Sequence, residues 1–557
     1  MKQAFIGIDA GTASVRAAIF DAEGSLIATA RRPIAIWHEA GDIVEQSSTD
    51  IWDACAGAVR AVMREAALPP AAVKGIGFDA TCSLVVLDHA QNPLSISLSG
   101  DPQRNVIVWM DHRAVAEAIR ISDTGDEVLR HVGGIISPEM QTPKLLWLKQ
   151  HLSGTYRQAG HFLDLADFLT FRATGRNVRS VCTLTCKWTY LAHERRWSRR
   201  YFERIGLAEL LADNCARIGQ EIIEPGTALG TGLTPASAEA LGLLPGTAVG
   251  AALIDAHAGG IGTIGGQGAD ETPVDLLDRL AYIMGTSACI MATTDAPRFV
   301  PGVWGPYFSA MVPGLWLNEG GQSAAGAALD YLVQSHPAYA EAAAAAKATE
   351  LGVLDFLERR ALARFDTVGR TALLARDIHV LPEFLGNRSP YADPQTRAII
   401  AGLDLDGDVA SLERLFVAGL CGLAYGLADV VDAMRTHGIA SRMMVISGGA
   451  SRSPLVRQIM ADTTGLGVAS PATTEPVLLG AAMLGAVAGG AFASLNAAMK
   501  GMSRLGALTR ATGPETSRFH AAKRVVYEQM RRLDRESRAA MRALPPVATG
   551  RDGAPCC

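Results

Sequence analysis

The sequence predicts an α/β protein made of two similarly built domains with a cleft between them. Two patterns each occur twice: an apolar hairpin with a turn of glycine and hydroxyl residues (7–20 and 281–294), and an apolar strand whose Gly- or Asp-containing turn opens a helix (247–262 and 443–462). Their alternating order predicts a duplicated unit. A chain of 557 residues also exceeds what one hydrophobic core usually supports.

The duplication divides the chain into four parts. We expect an N-terminal domain over residues 1–265, which binds the acceptor substrate, and a C-terminal, nucleotide-binding domain over 266–500. A helical extension should occupy 501–543, and 544–557 should form a disordered tail. The segment 262–280, rich in glycine and acidic residues, suits the connection between the domains.

The composition excludes several functional classes. Lys and Arg number 51 and Asp and Glu 56, a net charge of −5, which argues against a general nucleic-acid or membrane-surface binder. The longest apolar runs are interrupted by glycine, polar or charged residues, so we expect no membrane span. The N-terminus leads directly into an apolar strand without a secretion signal, so we expect a cytoplasmic protein.

The nine cysteines are scattered along the chain. Cys182 and Cys186 are four residues apart and could face each other on a helix, but reduced thiols of a cytosolic protein are favoured over a metal site. Cys556 and Cys557 close the predicted tail.

The first hairpin has the residues of a phosphate-binding turn. Asp9 ends its first strand, and the turn contains Gly11, Thr12 and Ser14. Small residues let backbone N–H groups approach phosphate oxygens closely. Asp9 is placed to hold a metal–nucleotide complex. A single turn of this kind is weak evidence, because Gly-Thr turns also serve ordinary hairpins.

The second hairpin strengthens this interpretation, because Gly285 and Thr286 occupy the equivalent places. Further along, the sequence GGASRS at 448–453 lets the backbone approach a flat base or a ribose. Its structural alternative is a plain helix start, with Ser453 as the cap and a proline in the first turn. Both interpretations can hold together.

Asp255 is the candidate general base. It follows the apolar strand 248–254, which suits a buried strand, so its carboxylate should face a cleft and could accept a proton from an attacking hydroxyl. The alternative is a helix N-cap, which the paired phosphate turns disfavour. We expect the neighbouring His257 to be a helix-surface or packing residue.

Two N-terminal segments are typical of substrate contacts. A break between two strands could present small polar groups to a polyol, and an apolar run ends in an aromatic and charged group that could stack on a sugar and bind its hydroxyls. A local surface ion pair is the alternative for the two charged residues. The candidates are Thr81, Cys82, Ser83, Trp109, Asp111 and Arg113.

Over roughly residues 4–500 the chain resembles the FGGY carbohydrate kinases, which belong to the superfamily of hexokinase, actin and the seventy-kilodalton chaperones. The resemblance rests on ordered motifs: GIDAGTASVR, WMDHRA, KLLWLKQ, PGTAVGAALIDAHAGGIG, MGTSACI, NEGGQSAAGAALDYL, GNRSPYADP and ISGGASRSPLVRQIMAD. It implies two ribonuclease-H-like domains with a nucleotide and sugar cleft between them.

The resemblance also implies roles for individual residues and two bound species, ATP and Mg²⁺. Asp255 matches the family's catalytic base. The nucleotide-side matches are Asp9 and Thr12 (first phosphate loop and Mg²⁺ region), Gly285 and Thr286 (second phosphate loop), Gly326, Gly448 and Gly449 (glycines against the nucleotide) and Ser453 (near the adenine).

The loop at 81–83 resembles the ribulokinase-type subgroup, in particular the D-ribulokinases. The implied activity is ATP-dependent phosphorylation of D-ribulose at its 5-hydroxyl, and the family makes a homodimer plausible. L-ribulokinase, ribitol kinase and xylulokinase activities remain alternatives. So does an ATPase switch that binds protein partners on the actin-like fold, although the segments at 81–86 and 109–114 have no evident use in one. Loss of activity is disfavoured by the intact Asp9, Asp255 and Thr286.

Overall fold

A computed structural model describes residues 3–268 and 275–544. The described strands are β1 Ala4–Ala10, β2 Ser14–Asp21, β3 Leu26–Pro33, β4 Trp37–Glu39, β5 Ile43–Gln46, β6 Val73–Ala80, β7 Leu84–Asp88, β8 Val106–Ile107, β9 Ala159–Asp164, β10 Val178–Ser180, β11 Glu221–Ile223, β12 Ala248–Ile254, β13 Arg279–Met284, β14 Ala288–Thr294, β15 Trp304–Phe308, β16 Trp316–Gln322, β17 His379–Leu381, β18 Ile399–Ala401, β19 Met443–Ser447 and β20 Gly467–Ala469.

The described α-helices are α1 Ser48–Ala66, α2 Val115–Ser122, α3 Gln141–His151, α4 Ser153–Gln158, α5 Leu165–Thr174, α6 Val181–Lys187, α7 Arg199–Ile205, α8 Pro235–Leu241, α9 Asp255–Ile264, α10 Gly326–Gln334, α11 Tyr339–Ala348, α12 Val353–Leu362, α13 Val409–Thr436, α14 Pro454–Thr464, α15 Pro476–Ala488, α16 Leu495–Met502 and α17 Pro514–Arg542. Short 3₁₀ helices occupy Pro70–Ala72, Glu127–His131, Ala208–Cys215, Leu276–Asp278, Gly369–Ala375 and Gly449–Arg452.

Each half of the chain contains one mixed sheet of the same design. The N-terminal sheet has the order β12-β6-β1-β2-β3, with β1, β2 and β3 antiparallel and β6 and β12 parallel to β1. The C-terminal sheet has the order β15-β16-β14-β13-β19-β20, with an antiparallel β13-β14-β16 meander and with β19 and β20 parallel to β13. Both predicted hairpins are present, and the predicted duplicated α/β architecture is confirmed.

A third sheet, of order β4-β5-β8-β7-β9, adjoins the N-terminal one. The chain passes into it through the predicted break at 81–83, because β6 ends at Ala80 and β7 begins at Leu84. β7 pairs with β8, whose following residues lead to Trp109. Both segments predicted to contact substrate therefore leave this sheet side by side.

Two helices cross between the halves. α9 follows the last strand of the N-terminal sheet and packs also against β13, whereas α15 follows the last strand of the C-terminal sheet and packs on β1, β6 and β12. Glycine allows this close approach: a Cβ on Gly77 of β6 would overlap the Ala481 carbonyl oxygen and lie 2.9 Å from Leu484 Cβ, and a Cβ on Gly7 would lie 2.9 Å from Ala482 N. α15 is therefore part of the N-terminal core.

The long helix α13 is apolar and long enough to cross a membrane, but it is almost wholly buried inside the protein. It forms the centre of the C-terminal core, against Leu329, Leu381 and Ile459. Its apolarity therefore reflects packing between protein layers, as in the core helix of a globular domain.

The C-terminal extension contains α17, which packs against the C-terminal half. Lys523 Nζ donates to the carbonyl oxygen of Ile378 at 2.7 Å, and Arg524 Nη2 donates to Asp429 Oδ1 at 2.7 Å. The predicted tail with Cys556 and Cys557 lies outside the described residues except for Leu544, as does 269–274 of the predicted connection. The domain boundaries stay a prediction.

We predict that Gly77→Ala lowers the thermal unfolding midpoint. The added methyl group has no space between β6 and α15, and overpacking of this kind costs about 1–3 kcal/mol. Differential scanning fluorimetry measures the effect. Gly154→Ala in α4 is the matched control, because the nearest atom to its Cβ is 4.0 Å away. Equal midpoints for the two variants would contradict the close packing.

Candidate active site

Two adjoining pockets lie beside the second predicted phosphate turn, one between the two halves of the chain and one within the C-terminal half. The first, of about 350 Å³, is lined by residues from both halves of the chain. The second, of about 620 Å³, lies between β13, α10, α12 and the start of α14. Gly285 and Thr286 line both pockets, so the second predicted phosphate turn is their shared wall. Molecules bound in the two pockets would therefore approach each other at this turn.

The first predicted phosphate turn forms one side of the smaller pocket, where Asp9, Gly11, Thr12 and Ser14 all line the wall. The Gly11 N–H donates to the Ser14 carbonyl oxygen at 3.1 Å, which closes the turn. Arg16 Nε donates to Asp9 Oδ2 at 2.9 Å. This arginine, which the sequence analysis did not select, places a cation at the turn.

Helix α10 supports the second turn. The Gly326 N–H donates to the Gly285 carbonyl oxygen at 2.9 Å, and the Ala325 N–H donates to that of Thr286 at 2.9 Å. A Cβ on Gly326 would lie 2.7 Å from the Gly285 oxygen, so glycine lets the helix start pack on the turn. The positive end of the α10 dipole thus points at a turn that both pockets share, which suits an anion such as phosphate.

Asp255 lies where β12 ends and α9 begins, on the wall of the smaller pocket. Its Oδ1 accepts a hydrogen bond from the Ala256 N–H at 2.7 Å. Burial and, second, the negative charge of Asp9 raise the pKa of Asp255 to about 6, against the smaller opposing effects of His257 and Lys187. A half-buried carboxylate with this pKa is ionised at neutral pH and is a suitable proton acceptor.

Three carboxylates converge beside the first turn: Asp9, Asp255 and the buried Asp79, which pairs with Asp9 across β1 and β6. Neither carboxylate oxygen of Asp79 has a hydrogen-bond partner from a described residue. Burial and then the charges of Asp9 and Asp255 raise the pKa of Asp79 well above its ordinary value. Carboxylate oxygens are the ligands that Mg²⁺ prefers, so Asp9 on the pocket wall, with Asp79 beside it, fits the ion once Arg16 turns from Asp9 toward a phosphate.

The structure separates the six predicted substrate contacts into two groups. Thr81, Cys82 and Trp109 line the smaller pocket, and Trp109 Nε1 donates to Thr12 Oγ1 at 3.0 Å. Ser83, Asp111 and Arg113 are not on its wall. The Ser83 hydroxyl oxygen instead lies 3.0 Å from that of Thr81 and accepts from the Trp109 N–H at 3.1 Å, so it supports the wall from behind.

Asp111 and Arg113 form a buried ion pair, so the structure favours the alternative interpretation and corrects their assignment as sugar contacts. Arg113 Nη2 lies 2.8 Å from Asp111 Oδ2 and 2.9 Å from Glu45 Oε1. Asp111 Oδ2 also accepts from the Val44 N–H at 2.7 Å. Both side chains are fully engaged between β5 and the loop after β8, and unlike the predicted surface pair they are almost inaccessible to solvent.

Besides Arg16, four further charged residues on the pocket wall were missed by the sequence analysis: Glu139, Lys187, Glu319 and Arg388. Arg388 Nη2 lies 3.4 Å from Glu139 Oε1, and the Lys187 ammonium lies 4.4 Å from the centre of the Trp304 ring. Burial alone would raise the pKa of Glu319, but Lys187 and His257 lower it to about 2. Glu319 and Arg388 fall in quoted motifs, NEGGQS and GNRSP, but nothing local distinguishes them there.

Besides Gly285 and Thr286, three further predicted nucleotide contacts line the larger pocket: Gly326, Gly449 and Ser453. Its wall is largely apolar, with Leu354, Phe416 and Leu420 among the lining residues, which suits a flat aromatic base. Gly448 is not on the wall.

The position of Ser453 agrees with both interpretations of the sequence, a helix cap and a residue beside the nucleotide. Its hydroxyl caps α14 by accepting from the Val456 N–H at 2.9 Å, and it donates to Glu358 Oε1 at 2.6 Å. Pro454 occupies the first turn, as the helix-start interpretation predicts. The residue therefore both begins α14 and lines the larger pocket.

Comparisons with known proteins identify the family. The FGGY family of carbohydrate kinases, N-terminal domain, matches residues 4–262, and its C-terminal domain matches residues 280–489. An FGGY carbohydrate kinase domain-containing protein of Homo sapiens is 47% identical over 507 residues, which are 90% of this chain and 91% of that protein. A D-ribulokinase of Saccharomyces cerevisiae is 34% identical over 512 residues, covering 87% of this chain and 72% of that protein.

The solved structures agree on the fold. A xylulose kinase from Lactobacillus acidophilus superposes with a TM-score of 0.77 at 18% identity, over 95% of this chain and 98% of that one. At this identity the similarity shows the fold alone, and it confirms the predicted two-domain architecture.

We predict that Asp255→Asn raises the unfolding midpoint near neutral pH. Because the pKa of Asp255 is about 6 in the folded protein and about 4 in an unfolded chain, folding loses stability as the pH rises between these values, by at most about 3 kcal/mol. The gain should be present at about pH 8 and absent near pH 4. Thermal unfolding at both pH values measures it, and a midpoint at pH 8 unchanged by the substitution would contradict the buried charge.

Proposed function

Since the chain belongs to the FGGY family of carbohydrate kinases, we propose that it transfers the terminal phosphoryl group of ATP to the 5-hydroxyl of D-ribulose. One observation supports the chemistry above all: Asp255 lines a small pocket rich in charged side chains, which meets a larger, largely apolar pocket at a phosphate-type turn. The similarity to a yeast D-ribulokinase supports the choice of sugar.

In this proposal Asp255 is the general base. Its half-buried carboxylate accepts the proton of the sugar hydroxyl as that oxygen attacks the phosphorus atom. The ionised form predominates at neutral pH because its pKa is about 6. The Ala256 N–H occupies Oδ1, which leaves Oδ2 for the hydroxyl.

The two turns hold the phosphates. Thr12 lines the smaller pocket and Thr286 lines both pockets, so their backbone N–H groups and hydroxyls are available to the transferring group at the junction. Arg16 lines the smaller pocket and is 36% exposed, so its guanidinium can turn from Asp9 to a phosphate oxygen. Mg²⁺, held by Asp9 with Asp79 beside it, would neutralise phosphate charge.

The charge balance of the smaller pocket favours an uncharged sugar. Arg388 is opposed by Glu139, and Lys187 by Glu319, so these cations leave no excess positive charge for an acidic sugar. Such groups can donate to and accept from successive hydroxyls of a polyol. Trp109 offers an apolar face to the C–H side of the sugar.

The position of the junction favours a kinase that excludes water. The smaller pocket is formed by both halves of the chain and adjoins the larger, C-terminal pocket at the shared turn, so closure of the cleft would bury the sugar hydroxyl together with the transferring phosphate. Water that entered the cleft would hydrolyse ATP without forming a sugar phosphate. An ATPase switch has no need of the smaller pocket, whose polar groups suit the hydroxyls of a sugar. We therefore prefer the kinase to the switch.

We predict that Asp255→Asn retains the fold and sugar binding but loses kcat by about 10²–10⁴-fold, because the amide cannot accept the hydroxyl proton. A coupled ADP-release assay measures kcat, and calorimetry measures sugar binding. Near-normal turnover in the variant would exclude Asp255 as the base.

We predict that kcat/KM falls about tenfold per pH unit below about pH 6, as protonation removes the base. The sign follows from the raised pKa: the active form is the ionised one, present above that value. Sugar dependence at saturating ATP, with the KM for ATP measured at each pH, separates this limb from titration of the nucleotide. A flat profile down to pH 5 would contradict the assignment.

The identity of the sugar is tested by comparing kcat/KM for D-ribulose, L-ribulose, D-xylulose, L-xylulose, ribitol and glycerol. We expect D-ribulose to be preferred. A higher value for any other sugar would replace D-ribulose while leaving the kinase chemistry intact. ADP release that depends on no sugar but on a protein partner would instead support the switch.

A further inference from the structure

A buried line of three side chains lies behind the wall of the smaller pocket. Cys182 Sγ is 3.0 Å from His257 Nδ1, and His257 Nε2 is 3.3 Å from Glu319 Oε2. Cys182 and His257 are inaccessible to solvent, and Glu319 is 6% exposed, toward the pocket. Neither Cys182 nor His257 lines the pocket, so the line reaches substrate only through Glu319.

The three residues come from elements that the fold brings together from both halves of the chain. Cys182 lies on α6, His257 lies on α9 two residues after Asp255, and Glu319 lies on β16 of the C-terminal sheet. The Ile254 N–H also points at Cys182 Sγ, at 3.4 Å. The line thus ties the helix that begins at the general base to a carboxylate of the opposite half.

The charges of Cys182, His257 and Glu319 affect one another, so their contacts are more than packing. Burial alone would raise the pKa of Cys182, but donors from Cys186 and His257 hold it well below its ordinary value. Burial alone would lower the pKa of His257, but Cys182 and then Glu319 hold it well above. Both pKa shifts favour a charged thiol and a charged imidazole, and hydrogen bonds that involve charged groups are the stronger kind.

The geometry leaves one oxygen of Glu319 for substrate. His257 takes Oε2, so Oε1 is the atom free of this contact, and the carboxylate lines the pocket beside Lys187. A carboxylate that pairs with a buried imidazolium loses the rotation that a free side chain keeps, which reduces the entropy lost when a hydroxyl binds. Its direction toward the sugar is therefore set from the N-terminal half.

We propose that Cys182 and His257 are positioning residues, which hold the Glu319 carboxylate in the orientation that binds a hydroxyl of the acceptor sugar. This inference rests on the proposed function for its substrate. It assigns His257, which the sequence suggested to be a helix-surface or packing residue, a polar role inside the protein.

A metal site is the competing explanation of the same cluster. The ligand atoms of Cys182, Cys186 and His257 all lie within 4.8 Å of one another, which a tetrahedral ion such as Zn²⁺ could use. Among the described residues, no fourth His, Cys, Asp or Glu belongs to this group. The short contact between Cys182 Sγ and His257 Nδ1 is typical of a hydrogen bond, so we favour a hydrogen-bonded line of side chains over a metal site. Bound zinc is one outcome of the test below.

The pair His257→Gln and His257→Asn separates positioning from packing. The Gln amide nitrogen can replace Nε2 and donate to Glu319, whereas the Asn nitrogen replaces Nδ1 and reaches only toward Cys182. We expect His257→Asn to raise the KM for the sugar about tenfold or more, the loss of one hydrogen bond to a charged group, with the KM for ATP unchanged. His257→Gln should have a KM for the sugar close to that of the wild type. Equal kinetics for the two variants would overturn the proposal.

Substitutions of the thiol give a second, milder test. Cys182→Ser keeps a hydroxyl acceptor for the imidazole, and Cys182→Ala removes it, so the sugar KM should rise more in the alanine variant. Cys421→Ala, which removes a fully buried thiol from α13 in the C-terminal core, is the control for cavity formation and should leave the sugar KM unchanged. A sugar KM unaffected by Cys182→Ala would overturn the role of the thiol.

Two measurements need no turnover, so they separate this inference from the proposed function. NMR of wild-type enzyme should show a proton on His257 Nε2, the atom that lies 3.3 Å from Glu319 Oε2, at neutral pH. A wild-type ring without a proton on Nε2 would overturn the proposal. Elemental analysis of enzyme purified without chelators should find no zinc, and one zinc per chain lost in Cys182→Ala would replace the positioning line by a metal site. Absence of kinase activity with every sugar would instead remove the proposed function.

Discussion

The close contact of α15 with the N-terminal sheet is the constraint on which the cleft depends. Glycines in β1, β6 and β12 remove the side chains that would hold the helix away, so its backbone lies directly on the strands. The same helix packs along α9, where a Cβ on Gly480 would overlap the Ala258 carbonyl. With α9 also against β13, the two sheets face each other across a pair of crossed helices. The phosphate turns at the ends of the two hairpins then meet across one gap.

Electrostatics at that gap follow from strand direction. β1, β6 and β12 are parallel, so the residues at their carboxyl ends lie together at one edge of the sheet. Asp9, Asp79 and Asp255 are those residues, and their mutual repulsion makes the site a place for a cation and a proton. The C-terminal half contributes Glu319 and Arg388 to the same pocket, so the charges of the site come from both halves of the chain.

The elements that could be predicted from the sequence are those marked by a local pattern of apolar, small and acidic residues. Both hairpins, the buried strand before Asp255 and the wall residues Thr12 and Thr286 follow from apolar runs that end in small or acidic residues. The position of Lys187 could not be predicted, because α6 reaches the pocket through tertiary packing alone. Asp111 and Arg113 show the opposite failure: a charged pair after an apolar run satisfies itself internally as readily as it binds a ligand.

The position of α15 along the chain also shapes the order in which the molecule can be made. A ribosome releases residues 4–262, with every strand of the N-terminal sheet, long before residues 476–488 emerge. Until then the sheet face that contains Gly7, Gly77 and Gly250 has no helix to cover it. The first half therefore cannot complete its core during synthesis, although N-terminal domains generally fold first. Native folding waits for nearly the whole polypeptide, and a chain terminated before α15 exposes an apolar sheet to aggregation.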